Sequence, residues 1–158
     1  MFPLKIKKIL KKKNKKKIIC LTSYSKNIAQ ILDKYCDIVL VGDSLGSVLY
    51  NYNTTRKISL NTMIEHSKSV RLGIRKSLMI VDMPYKTYRN KSEALRNCQK
   101  VMKETKCDGV KLEGGIKIKS IAGITTGIPI KIVAGIMAEM ITKIIGGINS
   151  WNKNENYS

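Results

Sequence analysis

Three short apolar runs, each closing on a carboxylate, constrain this chain more than any other feature. They are Ile38-Val-Leu-Val-Gly-Asp43, Leu78-Met-Ile-Val-Asp82 and Asp108-Gly-Val-Lys-Leu-Glu113. Strands buried on both faces of a parallel sheet read as near-continuous apolar runs. In α/β folds the ligand sits beyond the carboxyl ends of such strands. The repeated pattern therefore predicts that Asp43, Asp82 and Glu113 converge at one end of a parallel sheet on a hard cation, Mg2+ or another ion with oxygen preference. The alternative is structural: strand-end acids cap helices or pair with lysines, and this chain has many lysines. Lys111 lies two residues before Glu113, so alternation puts both side chains on one strand face, where the lysine can reach an anionic ligand.

The segments around these runs alternate in character. Residues 18–22 predict a first strand, and Ser25 an N-cap for a helix carrying Ile28, Ala29, Ile31, Leu32 and Tyr35 at helical spacing. Gly42 and Gly46, either side of Asp43 and Ser44, are expected to allow a sharp turn and a close approach to a ligand. Residues 47–59 read as a polar loop with Tyr50 and Tyr52. Thr62-Met-Ile-Glu65 resembles a capping box opening a helix that ends at Gly73 in the C′ position. His66, on that helix, is the only histidine and is expected to be a structural partner rather than a ligand. Pro84 stops the strand that ends at Asp82, and Ser92 is expected to cap a helix bearing Ala94, Leu95, Cys98, Val101 and Met102. Strand–helix–strand order implies parallel strands with right-handed crossovers.

The two ends differ from the centre. Residues 1–17 are dominated by lysine, with Ile6, Ile9 and Leu10 on one face of a short helix. They lack the apolar core of a signal peptide and the Arg/Ser bias of a transit peptide. A solvated, partly helical leader is expected, with a polyanion-binding arm as the alternative. Residues 116–158 are rich in Ile, Gly and Lys and contain three similar heptapeptides beginning at Ile118, Ile130 and Thr142. Such regularity fits stacked strand-turn units or a low-complexity tail, with residues 127–133 as a candidate fifth strand. Lys119, Lys131 and Lys143 interrupt the apolar runs, so no membrane span of ~20 residues is expected. The organisation read from the sequence is thus a leader over 1–17, a β/α unit over 18–115 and a divergent tail over 116–158.

Charge is the compositional oddity, with 30 Lys+Arg against 11 Asp+Glu and a formal net charge of +19. A basic nucleic-acid-binding protein is one reading. Against it, the arginines are limited to Arg56, Arg71, Arg75, Arg89 and Arg96, whereas phosphate and base recognition favours Arg. Non-specific, salt-sensitive adhesion to polyanions is expected; specific nucleic-acid recognition is not. Cys20, Cys36, Cys98 and Cys107 form no C-x-x-C pair, and Cys20 and Cys36 adjoin apolar stretches. Buried thiols in a reduced, cytoplasmic protein are expected rather than disulfides or zinc.

Thr22-Ser-Tyr24, Val41-Gly-Asp-Ser-Leu-Gly46, Val81-Asp-Met-Pro-Tyr85 and Val110-Lys-Leu-Glu-Gly-Gly115 occur in this order. Together with His66-Ser-Lys-Ser-Val-Arg-Leu-Gly73 they resemble ketopantoate hydroxymethyltransferase, also called 3-methyl-2-oxobutanoate hydroxymethyltransferase, over roughly residues 17–115. The resemblance implies a parallel (β/α)8 barrel of the phosphoenolpyruvate-mutase type, of which about the first four to five β/α units are expected here. It implies transfer of a hydroxymethyl group from 5,10-methylenetetrahydrofolate to α-ketoisovalerate, in a large homo-oligomer of pantothenate biosynthesis. It also implies a Mg2+ site of Asp43, Asp82 and Glu113, the glutamate through water, and keto-acid contacts from Asp43, Ser44, Asp82 and Lys111. A full barrel takes ~250 residues, so this chain is expected to form an open half-barrel, truncated or divergent after about residue 115. The family's glycine-histidine motif after strand five and its glutamate base on a later strand have no counterpart. Neither Glu139 nor Glu155 is assigned as the base, and no catalytic residue is. A catalytically inactive fragment that keeps the Mg2+ and keto-acid half-site is the second expectation.

Overall fold

The computed structural model describes residues 4–12 and 15–113. The heptapeptides, the candidate fifth strand, Glu139 and Glu155 lie outside the described residues. Four parallel strands, β1 (Cys20–Thr22), β2 (Ile38–Val41), β3 (Leu78–Asp82) and β4 (Gly109–Lys111), form one sheet in the order β1-β2-β3-β4. The helices are α1 (Leu4–Lys12), α2 (Lys26–Leu32), α3 (Leu45–Tyr50), α4 (Leu60–Gly73) and α5 (Lys91–Thr105). The α/β expectation and all four strands are borne out.

Register explains why the strands read as continuous apolar runs. Ile38 pairs with Leu78, Leu40 with Ile80, and Ile80 with Gly109. One face therefore carries Cys20, Ile38, Leu40, Leu78 and Ile80, which pack with Ile6 and Ile9 of α1. The other face, with Val39, Val41, Met79, Val81 and Val110, packs against buried side chains of α2, α4 and α5, including Ala29, Met63, Val70, Cys98 and Val101. Both faces are dry, so neither alternates with polar residues.

The lysine-rich segment behaves differently from the solvated leader expected of it. Its helix forms, but Ile6 and Ile9 are only 1% and 3% exposed. α1 lies against the start of the strands: the Lys5 ammonium donates to the Ser77 carbonyl at 2.9 Å, and Lys12 pairs with Asp37. Burying two isoleucines contributes about 3–6 kcal/mol of transfer free energy before ordering costs. Lys8, Lys11, Lys15, Lys16 and Lys17 are exposed, which is why the composition alone suggested a solvated arm.

Several local expectations are corrected. Ser25 precedes α2, yet its side chain makes no capping hydrogen bond. α4 begins three residues before the expected box, with the Ser59 hydroxyl accepting from the Thr62 amide at 3.1 Å. Asn90, not Ser92, caps α5 by accepting from the Glu93 amide. Residues 47–59 are not a loop throughout; they contain most of α3 and a 3-10 turn, Thr55–Lys57. For α4 and α5 a neighbouring Ser or Asn offered the same capping chemistry at a different offset.

Gly73 is the last residue of α4 rather than a left-handed C′ residue. A Cβ there would lie 2.4 Å from the Lys26 carbonyl oxygen and 2.8 Å from the Gln30 nitrogen. The glycine lets α4 pack directly on the backbone of α2. We expect Gly73→Ala to cost about 1–3 kcal/mol through forced separation of the two helices. A shift in the urea midpoint at constant slope checks this, and an unchanged midpoint would refute the close-packing account.

Candidate metal and substrate site

Among the described residues the acids near the strands divide by the end of the sheet they occupy. Three lie at the amino ends of strands, and backbone donors satisfy them. Asp33 accepts the amides of Lys76 and Ser77 at 2.9 and 2.8 Å, Asp37 accepts that of Ile19 at 3.1 Å, and Asp108 accepts that of Met79 at 2.9 Å. Burial pushes the Asp33 carboxyl upward, but these amide hydrogen bonds outweigh it and hold the group below the usual range. Such acids fix strand starts and are structural.

Asp82 is the opposite case. It ends β3 on the same face as Leu78 and Ile80, one layer above the apolar stack, and is 5% exposed. Among the described residues no amide donates to it. The Lys111 ammonium approaches Asp82 Oδ1 at 2.8 Å, but not along a hydrogen-bonding direction, so that oxygen is buried without a hydrogen-bond partner. Burial pushes the Asp82 carboxyl up to about 6; Lys111 pulls it down, and Glu113 and Asp43 push it up again. A buried carboxylate with neighbouring acids and few donors has an unmet demand for positive charge.

Lys111 is placed by register, since Asp82 pairs with Lys111 across β3 and β4. It is 7% exposed, and its ammonium contacts both Asp82 and Glu113. Burial alone would lower its pKa, but the two carboxylates outweigh this and raise it, so it is a cation. The expectation that Lys111 and Glu113 share a face is met. Glu113 itself is mostly exposed, 63% at its side chain, so its pairing contributes little to stability.

Asp43 and Ser44 occupy the turn between β2 and α3, half-buried. Gly42 precedes them, just after β2, and a Cβ on it would lie 2.8 Å from Ser44 Oγ and 3.5 Å from Asp82 Oδ2. Gly46 likewise leaves room for Ile58. The sharp turn expected from the sequence is present, closed by the Leu45 amide donating to the Gly42 carbonyl at 3.2 Å; neither glycine adopts a left-handed backbone, so what the pair contributes is room. Ser44 hydrogen-bonds the Tyr24 hydroxyl at 2.8 Å.

The structure thus brings Asp82, Lys111 and Glu113 into contact and sets Asp43 close enough to act on Asp82 through its charge. Among the described residues no three His, Cys, Asp or Glu side chains form a ready-made metal cage. The donor set still suits a hard cation in kind: carboxylate and hydroxyl oxygens, one of them buried and lacking a donor. Sequence reasoning missed two tyrosines. Tyr24 holds Ser44, and its motif was the available signal. Tyr88 is half-buried; burial first, and then the charges of Glu113, Asp43 and Asp82, raise its pKa, while the Glu113 amide lowers it. No spacing rule marks Tyr88, because the loop after β3 brings it in.

His66 is a structural partner, as expected. Its Nδ1 bonds the Tyr24 carbonyl at 2.9 Å and its Nε2 bonds the Tyr50 hydroxyl at 3.0 Å. All four cysteines are free thiols, and burial pushes Cys20 and Cys107 up to about 11 and Cys98 up to about 12. None has the low-pKa environment of a reactive thiol.

A parallel sheet with its polar groups beyond the carboxyl strand ends defines a partial β/α barrel. The crystal structure of 2,3-dimethylmalate lyase, a PEP mutase/isocitrate lyase superfamily member, is similar, with a TM-score of 0.52 at 14% identity over 75% of this chain and 41% of that one. The barrel class expected from the sequence is borne out. The family model for ketopantoate hydroxymethyltransferase matches residues 3–156, and the chain belongs to that family. Relatives named 3-methyl-2-oxobutanoate hydroxymethyltransferase include that of Pelagibacter ubique, 64% identical over 74% of this chain and 46% of the relative. That of Agrobacterium fabrum is 50% identical over 65% of this chain and 37% of the relative. The chain spans less than half the length of these relatives.

The buried pair gives a graded expectation for two isosteric changes. Lys111→Met leaves Asp82 as an uncompensated buried charge, and we expect a loss of about 3–5 kcal/mol at neutral pH. Asp82→Asn leaves the Lys111 ammonium with only the mostly exposed Glu113 as counter-charge, and we expect a smaller loss of about 1–3 kcal/mol. Denaturant unfolding of both variants checks the pair, and no loss in either would refute the burial argument.

Proposed function

We propose that this chain binds 3-methyl-2-oxobutanoate (α-ketoisovalerate) at the carboxyl ends of β2, β3 and β4, and serves hydroxymethyl transfer from 5,10-methylenetetrahydrofolate to give ketopantoate. The observation that carries this is Asp82: a buried strand-end acid with a lysine, no amide donor among the described residues and two further acids nearby, in a member of this family. Asp43 and Asp82 would hold Mg2+, with Glu113 acting through water. When bound there, the ion would withdraw electron density from the keto acid's carbonyl and acidify its C3 proton.

The chain's own residues supply the rest of the half-site. Lys111 is a buried cation positioned to offset carboxylate or enolate charge, where a low dielectric strengthens it. Ser44, steadied by Tyr24, offers a hydroxyl to the keto acid's oxygens. Loss of the C3 proton leaves a carbon nucleophile for the folate-borne one-carbon unit. Asp43, Asp82 and Glu113 are used as ligands in this scheme, so none is assigned as the base. This favours a second reading, a half-site that binds the keto acid without turning it over.

Further elements of the proposal rest on separate observations. Exposed Ile28 and Ile31 on α2, Tyr35 just after it and Leu72 on α4 support a homo-oligomer. Free, buried cysteines support a reducing, cytoplasmic setting. Among the described residues no helix is long and apolar enough to cross a membrane.

Calorimetry of α-ketoisovalerate with the full chain tests the site. We expect binding that requires Mg2+ and is weakened at least about a hundredfold by Asp82→Ala, as for loss of a charged ligand worth roughly 3 kcal/mol. Equal affinity in the variant would refute the assignment. Proton NMR in D2O then separates the two readings: Mg2+-dependent exchange at C3 means turnover chemistry, and binding without exchange means a substrate half-site alone.

A further inference from the structure

We infer that His66 is a positioning residue for the keto-acid half-site, holding Tyr24 so that the Ser44 hydroxyl presents its proton to an anionic ligand oxygen. This rests on the keto-acid reading proposed above and adds the residues that orient its serine. Ser44 is the N-cap residue of α3, where a serine side chain ordinarily accepts from a backbone amide in the first turn. Here its backbone is already helical, and the side chain makes no capping hydrogen bond. The hydroxyl instead meets the Tyr24 hydroxyl at 2.8 Å. A Cβ on Gly42 would come within 2.8 Å of Ser44 Oγ, so the serine rests against a position that only glycine leaves open.

Hydrogen-bond chemistry assigns a proton at each step. His66 Nδ1 lies 2.9 Å from the Tyr24 carbonyl oxygen, which only accepts, so Nδ1 carries the ring proton. In the neutral ring Nε2 is then an acceptor, and the Tyr50 hydroxyl, 3.0 Å away, donates to it. Tyr24 is thus pinned at its backbone by the histidine. Between Tyr24 and Ser44 either hydroxyl can donate. A carboxylate or keto oxygen on the ligand only accepts, so with the ligand bound Ser44 donates to it and Tyr24 donates to Ser44. Hydrogen bonds in such a chain polarise one another. The serine then favours an acceptor oxygen over a donor in the same place.

The elements show what the histidine contributes. α3 is 6 residues long, too short to keep its shape without tertiary contacts. Ser44 precedes it and Tyr50 ends it. Both are tied to the same pair, Ser44 through the Tyr24 hydroxyl and Tyr50 through the His66 ring. The Tyr50 and His66 rings also meet edge-on, with centroids 6.0 Å apart. His66 itself stands on α4, a helix of 14 residues whose Met63, Ile64 and Val70 are in the main apolar core. The turn that carries Ser44 is therefore referenced to a long, well-packed helix.

Calorimetry of α-ketoisovalerate with Mg2+ and the full chain tests this in a double-mutant cycle. Tyr24→Phe and His66→Phe should each weaken binding about five- to tenfold, as for one lost hydrogen bond. His66→Asn, whose amide still donates toward the Tyr24 carbonyl, should recover most of that loss. In a Ser44→Ala background none of the three should weaken binding further, because their effect passes through the serine. Equal losses in both backgrounds mean a merely structural histidine and overturn the inference, as does unchanged affinity in Tyr24→Phe. That variant removes a single oxygen and carries the test where His66→Phe fails to fold. His66 is the only histidine, so nitrogen NMR reads its tautomer directly, and a neutral ring protonated at Nε2 also overturns the inference. If the unaltered chain binds no keto acid, the function proposed above fails, and the Ser44 amide resonance decides for the histidine on its own. That resonance should move in His66→Phe and return in His66→Asn; a fixed resonance overturns the positioning role.

Discussion

A buried ammonium faces a buried carboxylate across β3 and β4, and the upper end of the sheet is arranged around that pair. Each ion loses several kcal/mol of hydration on burial, and the attraction between them recovers this only in good geometry. The geometry comes from strand register. Asp82 stands directly opposite Lys111, one layer above Ile80, which pairs with Gly109. A slip of one residue would turn Lys111 toward the helices and strand its charge among Val81, Val101 and Cys98. The apolar layers beneath and the ion pair above therefore specify the same register independently. Stability alone would be served as well by an apolar pair, so the retention of ions at this place is a cost that a ligand would justify.

The sheet is chemically polarised along its strands. At the amino ends, α1 seats Ile6 and Ile9 against Ile38, Leu78 and Ile80, while Asp33, Asp37 and Asp108 are consumed by backbone amides. At the carboxyl ends the acids face one another, and amide donors are scarce. This is the division expected of β/α barrels, with stability built at one rim and chemistry at the other. The structural alternative for strand-end acids accounts for the three lower acids. Asp82 also meets a lysine, at 2.8 Å, but differs from them in that no backbone amide among the described residues donates to it.

Much of this was legible in the sequence because it follows from two short-range rules. Continuous apolar runs specify buried parallel strands, and alternation puts Asp82 and Lys111 on a defined face. The motifs carried the family. What escaped was set by competition or by tertiary contact. Ser59, Thr62, Asn90 and Ser92 can all cap, and only packing of the helix body selects which does. Gly73 looked like a helix terminator because close approach and left-handed geometry both demand glycine. α1 was read as solvated because two isoleucines are outnumbered by lysines, although two buried side chains suffice to dock one turn of helix. Tyr88 reaches the site through a loop, and loops carry no periodicity.

The large positive charge is best understood by location rather than by sum. Most lysines among the described residues are exposed, so water and salt screen them to little effect beyond a Debye length of ~8 Å. Lys111 acts in a far lower dielectric, where one charge matters more than many at the surface. Between these extremes lie Arg56, Lys57 and Lys86, held against tyrosine faces that order them without cancelling their charge. An anionic ligand recognised by the chain would discriminate among cations by preorganisation, since ordering a free lysine side chain costs ~2 kcal/mol of rotamer entropy. The exposed lysines flanking α1 carry that cost in full, whereas those resting on rings have met part of it before any ligand arrives.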